Sequence, residues 1–235
     1  MTSAKQVYLG VRRGAPTPPL PYDAEVEYLE STGTQWINTG YETKGVGITI
    51  DVVASKTTSA TNEMAIAGRA ASSGFELYFA NGLARIWTVS FDIPSAAGIS
   101  ANNAYHIVAE TASNSQSITV DGVVDSRTGS VAGAAGLSPI ALFAHRQTYN
   151  LVGRIYSCKI YDGATLVRDF TPVRFTNEQN QSDGAMYDRV SGALFRNAGT
   201  GEFRFGTDIA WGGCKWLGYS PLRFSRSTRL WKEAA

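Results

Sequence analysis

The sequence predicts an all-β sandwich or barrel, and three observations lead to that class. Short apolar-polar alternations with a period of two recur along the chain, as at Ile48 and Ile50 in "GITIDVVAS". Turn-forming pairs such as Asn81-Gly82 separate these runs and favour tight type I′ hairpins. No segment keeps the 3.6-residue period of a long helix. Many short strands joined by Gly-rich turns are typical of sandwiches and barrels.

The elements follow one another in a regular order. The opening stretch, "VEYLESTGTQWINTGY", predicts two strands broken at Gly33, with Trp36 and Ile37 as apolar anchors on opposite faces and a further turn at Gly40. Hairpins are predicted at Asn81-Gly82, at Asp121-Gly122 and, with a longer loop, at Asp162-Gly163. The other strand-like runs are "EMAIAGR", "AYHIVAETA", "PIALFAHR", "GAMYDRVSGALFRN" and "EFRFG".

Charge divides the chain into three parts. Residues 1–21 carry a net charge of +3 and four closely spaced prolines, which favour an extended, stiff arm. Residues 22–207 carry −5 and hold the strand pattern, whereas residues 208–235 carry +3. We therefore predict a single sandwich at 22–207 between an N-terminal arm and a C-terminal tail.

The tail combines aromatic and basic residues, which are common anchors in protein interfaces. We predict that it docks on another protein, or on identical subunits of a homo-oligomer. A tail folded back over its own domain is the alternative, and nucleic acid is disfavoured because five scattered cations beside an acidic body attract it weakly. The candidate docking residues are Trp211, Trp216, Arg223, Arg226 and Trp231.

Several function classes find no support in the sequence. No run of 18 apolar residues predicts a membrane span, and the N-terminus lacks the apolar core of a signal peptide. We therefore expect assembly in the cytosol or export by another route. Cys158, within an alternating strand, predicts a buried thiol, and its pairing with Cys214 stays open. Neither a nucleophile elbow nor zinc-ligand spacing nor a phosphate-binding loop is present.

A family resemblance covers residues 22–207. It is carried by "VEYLESTGTQWINTGY", "NAYHIVAETASNSQSITVDGVV", "LFAHRQTYNLVGRIYSCKIYDGATLVRDFTPVR" and "GAMYDRVSGALFRNAGTGEFRFG". These runs resemble the concanavalin A-like (laminin-G/pentraxin-type) jelly-roll domains of bacteriophage structural proteins and gut-bacterial surface proteins. The resemblance implies a jelly-roll β-sandwich. It does not select a function, because the fold hosts lectins, adhesion modules, glycosidases and structural domains.

Carbohydrate binding is predicted at one strand and one loop. Sugar sites combine an aromatic platform with amide, carboxylate or guanidinium groups, and loops often carry such function. "AHRQTYN" supplies these groups together, while Trp87 shares a strand face with Arg85 and Val89. An ordinary polar loop and core packing are the respective alternatives. The candidate residues are Trp87, His145, Arg146, Tyr149 and Asn150.

Three other sets of polar residues have compositions found in catalytic or metal sites. Glu25 and Glu27 share a strand face at a spacing used by jelly-roll glycosidases, but a solvated strand edge explains them better. His106 is expected to be a structural residue of the sandwich. We predict no cofactor, although loop oxygens suited to Ca²⁺ occur at Asp92, Asn102, Asn103 and Asp125.

The leading functional prediction is a non-enzymatic virion protein of the phage capsid or tail, which assembles in the host cytoplasm and displays the sandwich for glycan or host-surface adhesion. Its terminal arms are predicted to attach it to a capsid or tail protein, or to identical subunits. The alternative is a bacterial cell-surface lectin domain, and a glycoside hydrolase is a remote third. Neither nucleic acid nor membrane is an expected partner.

Overall fold

The computed structural model describes residues 20–71, 74–146 and 148–209. Within these ranges the secondary structure consists of strands, and none of the residues is helical. Accordingly, no helix in the described part of the chain is long and apolar enough to cross a membrane.

Seventeen strands are present in these three ranges. In chain order they are β1 Ala24–Glu25, β2 Leu29–Thr32, β3 Ile37–Thr43, β4 Ile48–Lys56, β5 Met64–Arg69, β6 Phe75–Ala80, β7 Leu83–Thr88, β8 Asp92–Gly98, β9 Tyr105–Ala112, β10 Ser115–Val120, β11 Val123–Thr128, β12 Ser138–Leu142, β13 Val152–Asp162, β14 Thr165–Thr176, β15 Ser182–Asp188, β16 Ala193–Phe195 and β17 Arg204–Phe205.

Two antiparallel sheets form a sandwich. The eleven-stranded sheet runs β11-β10-β9-β4-β13-β14-β15-β16, with β1 beside β14, β2 beside β13 and β17 beside β2. The six-stranded sheet runs β3-β12-β5-β6-β7-β8. Neighbours such as β4 and β13, or β3 and β12, are far apart in the sequence, so the chain crosses between the sheets repeatedly. This arrangement confirms the predicted all-β jelly-roll sandwich.

The core lies between the two sheets and follows the predicted alternation. Ile48, Ile50 and Val52 of β4 are buried there, with Phe75 and Leu77 of β6 in the same apolar cluster. Burial of such side chains supplies the main favourable contribution to folding, about 25 cal/mol for each Å² of apolar surface.

Cys158 is fully buried, as its place in the strand pattern predicts. Burial raises the pKa of its thiol, with smaller contributions from Asp51 and Asp169. The thiol is therefore protonated and behaves as a small apolar side chain. Cys214 lies outside the described residues, so their pairing stays open.

The hairpin predictions agree with the backbone at two turns. Asn81 and Gly82 have φ values of 52° and 74°, and Asp121 and Gly122 have 47° and 87°. Both turns therefore place two residues in the left-handed region, as a type I′ turn requires. At the third, Gly163 alone of the pair has a positive φ, 54°, because Asp162 still belongs to β13.

One glycine differs from its predicted role. Gly33 does break the opening stretch between β2 and β3, with φ of 108°. The predicted turn at Gly40 is wrong, because that residue lies inside β3 with φ of 65°. The register between β3 and β12 shifts there, so β3 accommodates two extra residues as a bulge.

The outer face of the six-stranded sheet is partly covered by residues 143–146 and 148–151, between β12 and β13. Its backbone follows β5: Phe143 N donates to Ile66 O, and Ala65 N donates to Tyr149 O. The side chain of His145 lies over Gly68, where a Cβ would be only 2.8 Å from that of the histidine. This segment explains why β5 is buried on both faces.

Candidate functional site

The outer face of the six-stranded sheet brings together three of the five predicted sugar-binding residues. The ring of His145 lies 6.5 Å from that of Trp87 and 6.0 Å from that of Tyr149, centroid to centroid. The His145 and Tyr149 rings are nearly parallel, at 25°. Tyr149 is 40% exposed, so an aromatic surface remains accessible beside the buried histidine.

The other two predicted residues have different positions. Arg146 is exposed, and its backbone N donates to Arg69 O. Asn150 donates from Nδ2 to Gly33 O at 2.8 Å, which ties the loop to the break between β2 and β3. Gln147, also in the predicted motif, lies outside the described residues.

The loop around His145 has an unusual backbone. Phe143 and Arg146 have φ values of 65° and 51°, a region that residues other than glycine rarely adopt. The Phe143 ring is buried, 4.9 Å from that of Phe203, which holds this conformation in place. Such strain, when the surroundings enforce it, is found most often at functional sites. Here it sets the position of His145.

The strand register then places a row of polar side chains beside this aromatic group. Glu76, Trp87 and Asp92 are direct neighbours across β6, β7 and β8. Tyr78 lies opposite Arg85 in the next position along the same face. These five side chains form one continuous surface.

Arg85, Asp92 and Tyr78 form a hydrogen-bonded group on that surface. Arg85 Nη2 donates to Asp92 Oδ2 at 2.6 Å, and Arg85 Nε donates to the Tyr78 hydroxyl at 3.0 Å. The Tyr78 hydroxyl in turn donates to Asp92 Oδ1 at 3.1 Å. Burial, followed by the charge of Asp92, raises the pKa of Tyr78 to about 12. The hydroxyl therefore stays protonated and able to donate.

A groove of about 540 Å³ lies over this group. It has seven polar lining residues and one alanine: Thr61, Asn62, Glu63, Tyr78, Ala80, Asn81, Arg85 and Asp92. Its hydroxyl, amide, carboxylate and guanidinium groups can donate and accept several hydrogen bonds at once.

A cluster of three titratable residues adjoins the groove. One donor atom from each of Glu63, Glu76 and His145 lies within 4.8 Å of the others. Burial, followed by the charge of Glu76 and a hydrogen bond to it, raises the pKa of Glu63 to about 7, while His145 lowers it.

Sequence reasoning missed both glutamates, since "EMAIAGR" and "FELYF" read as apolar strands. Glu76 and Tyr78 alternate with apolar residues in this strand, and that alternation was the signal of a polar face.

The remaining candidates are engaged elsewhere. Glu25 accepts from the Tyr22 hydroxyl at 3.2 Å and pairs with Arg189 at 3.1 Å, which suits a structural strand edge. Of the calcium candidates, Asp92 binds Arg85, and Asp125 accepts from Ala96 N at 2.7 Å. The five docking residues of the tail lie outside the described residues.

Comparison with known proteins supports the fold. No model of a known protein family matches the chain, and no curated protein is significantly similar in sequence. Among solved structures, it is similar to a protein from Bacteroides ovatus ATCC 8483 to which carbohydrate binding has been ascribed, with a TM-score of 0.56 and 10% identity. The similarity covers 79% of this chain and 62% of that one, so the chain spans under two thirds of that protein's length.

A second similar structure is the binding domain of Paraclostridial Mosquitocidal Protein 1. Its TM-score is 0.38 at 12% identity, over 81% of this chain and 63% of that domain. The similarity to the Bacteroides ovatus protein supports the all-β sandwich fold and does not identify a ligand.

Proposed function

We propose that this chain is a non-enzymatic carbohydrate-binding domain, with its ligand on the outer face of the six-stranded sheet, across the groove and the aromatic side chains beside it. The observation that carries the proposal is the convergence of Trp87 and Tyr149 beside the polar group of Tyr78, Arg85 and Asp92. The similar fold of a protein with ascribed carbohydrate binding supports it.

The chemistry of the groove suits a sugar. The apolar C–H face of a pyranose stacks on an aromatic ring, while its hydroxyls need several donors and acceptors in fixed positions. The volume of about 540 Å³ lies within the range of small-ligand sites, about 300–1,000 Å³. Its lining, however, is more polar than that of most such sites, which favours a ligand rich in hydroxyl groups.

A glycan array followed by calorimetry tests the proposal. We expect the chain to bind a restricted set of glycans and Trp87→Ala to weaken binding at least about tenfold, because truncating an aromatic anchor of a binding site often costs about 2 kcal/mol. Tyr149→Ala is expected to weaken the same glycans. Tyr156→Ala provides a matched control, since Tyr156 is a half-buried aromatic residue of β13 in the other sheet. Specific binding that survives in Trp87→Ala and Tyr149→Ala would refute this location.

The sequence also predicts where the domain is displayed. Attachment to a virion, or alternatively to a bacterial cell surface, stays a prediction, because it depends on the terminal segments. Co-purification with assembled particles, in the full chain and in a chain lacking residues 210–235, is the corresponding experiment.

A further inference from the structure

The cluster of Glu63, Glu76 and His145 has donor atoms that the surrounding protein does not satisfy. The side chains of Glu76 and His145 are each only 5% exposed. Glu76 Oε1 and both ring nitrogens of His145 have no hydrogen-bond partner among the described residues. Buried polar atoms almost always have partners, and each unpaired one costs free energy of folding.

The contact between Glu76 and His145 is close but is not a hydrogen bond. His145 Nδ1 lies 2.8 Å from Glu76 Oε2, yet this nitrogen has no hydrogen-bond partner in the described part of the chain. The short distance therefore lacks the alignment that a donated hydrogen requires. Two potential metal-ligand atoms that lie this close without a hydrogen bond between them can both coordinate one metal ion.

Charge supports the same conclusion. Glu63 is half-buried and Glu76 is buried, and carboxylates this close to each other repel, so a doubly charged cation would neutralise both. Glu63 is half-buried and lines the groove, so an ion could reach the buried pair from that side. The groove also leaves coordination positions for water or another oxygen ligand.

We propose that Glu63, Glu76 and His145 bind a divalent transition-metal ion of the zinc class. An imidazole nitrogen with carboxylate oxygens is a donor set that suits Zn²⁺, whereas Ca²⁺ and Mg²⁺ prefer oxygen alone. Donor atoms 2.8 Å apart can both lie about 2.0–2.2 Å from one ion. The close approach at Gly68 and the left-handed residues around His145 fix the ring in this position. This proposal does not depend on carbohydrate binding.

Metal titration of the full chain tests the proposal. After treatment with a chelator, we expect the chain to bind one Zn²⁺ and, in its place, one Co²⁺ with a visible absorption band. Glu63→Gln and Glu76→Gln are each expected to weaken Zn²⁺ binding at least tenfold. His106→Gln is the matched control, because His106 lies in the other sheet beside Asp51 and should leave binding unchanged.

Folding of each variant is checked by circular dichroism, and two measurements on the unaltered chain need no substitution. Zn²⁺ should raise its melting temperature in a concentration-dependent manner. Equimolar Ca²⁺ should not displace the Zn²⁺. The proposal is overturned if the unaltered chain binds no Zn²⁺, if binding is lost in His106→Gln, or if both glutamate variants bind normally. Displacement by Ca²⁺ would overturn the assignment of the metal class.

Discussion

At the scale of single residues, the close approach of His145 to β5 depends on the absence of a side chain at Gly68. A Cβ at this position would lie 2.8 Å from His145 Cβ and 3.0 Å from Cδ2. We expect Gly68→Ala to lower the free energy of unfolding by about 1–3 kcal/mol, the usual cost of overpacking, because the ring must move. Denaturant unfolding monitored by fluorescence measures the change.

Gly98→Ala is the control for that substitution. A Cβ at Gly98 meets no atom within 4 Å, so its effect is expected to stay within about 0.5 kcal/mol. If the two variants are equally stable, the His145 ring can move away from β5 without a loss in the free energy of unfolding. Its position would then not depend on contact with β5.

Sequence reasoning reached the aromatic part of the site but not its carboxylates. Alternation along β7 placed Trp87 on the face of Arg85, and the composition of one loop selected His145 and Tyr149. Which strand lies opposite that loop is set by long-range pairing, which the sequence does not display. The alternation could mark Glu76 as part of a polar face, but its proximity to His145 is visible only once β6 is seen between β5 and β7.

At the scale of elements, a cross-strand pair joins β9 to β4 on the outer face of the eleven-stranded sheet. His106 Nε2 lies 2.8 Å from Asp51 Oδ1. The hydrogen bond to Asp51 raises the pKa of His106 above its ordinary value of 6.5, against an opposing effect of burial and with a small contribution from Asp121. Protonated His106 is thus favoured in the folded state.

The pair makes stability depend on pH in a defined direction. Because the pKa of His106 is raised in the folded state, the pair contributes its full stability below about pH 6.5. That contribution is lost as the pH rises through the raised pKa. Solvent exposure limits it to about 0.5 kcal/mol. Between pH 5.5 and 8.5, we expect the free energy of unfolding of the unaltered chain to fall. The fall should exceed that of His106→Gln by about 0.5 kcal/mol.

Glu110→Gln is the matched control for the pH measurement. Glu110 is an exposed carboxylate on the same face of β9 and should leave the pH dependence intact. A His106→Gln protein with the same pH profile as the unaltered chain would show that the pair does not contribute.

The strands themselves were largely predictable, and their irregularities were not. Hairpins at Asn81-Gly82 and Asp121-Gly122 follow from local chemistry, since these residues adopt positive φ readily. Gly40 shows the limit of that reasoning, because a glycine with positive φ marks either a turn or a bulge. The choice depends on the neighbouring strand β12, which is about a hundred residues away in the sequence.

At the scale of the whole molecule, the C-terminal end of the described chain closes the sandwich against β1. Asp208 forms an isolated bridge with Val26, and its carboxylate accepts two hydrogen bonds from Arg174, each of 2.7 Å. Ile209 N donates to Glu25 O at 2.8 Å. A chain meant to preserve the sandwich should therefore extend to Ile209, two residues past the boundary that composition and charge predicted.

This arrangement predicts that a chain of residues 20–209 melts at a higher temperature than one of residues 20–207. The shorter chain loses the backbone hydrogen bond of Ile209, about 1 kcal/mol, which corresponds to about 2–4 °C for a domain of this size. It also loses Asp208, the closer of the two carboxylates that pair with Arg174, whereas Asp23 remains. Arg174→Gln should therefore lower the melting temperature more in the longer chain than in the shorter one. The difference, measured as a double-mutant cycle, reports the interaction between Arg174 and Asp208. Equal effects of Arg174→Gln in both chains would mean that Asp208 does not help to close the sandwich.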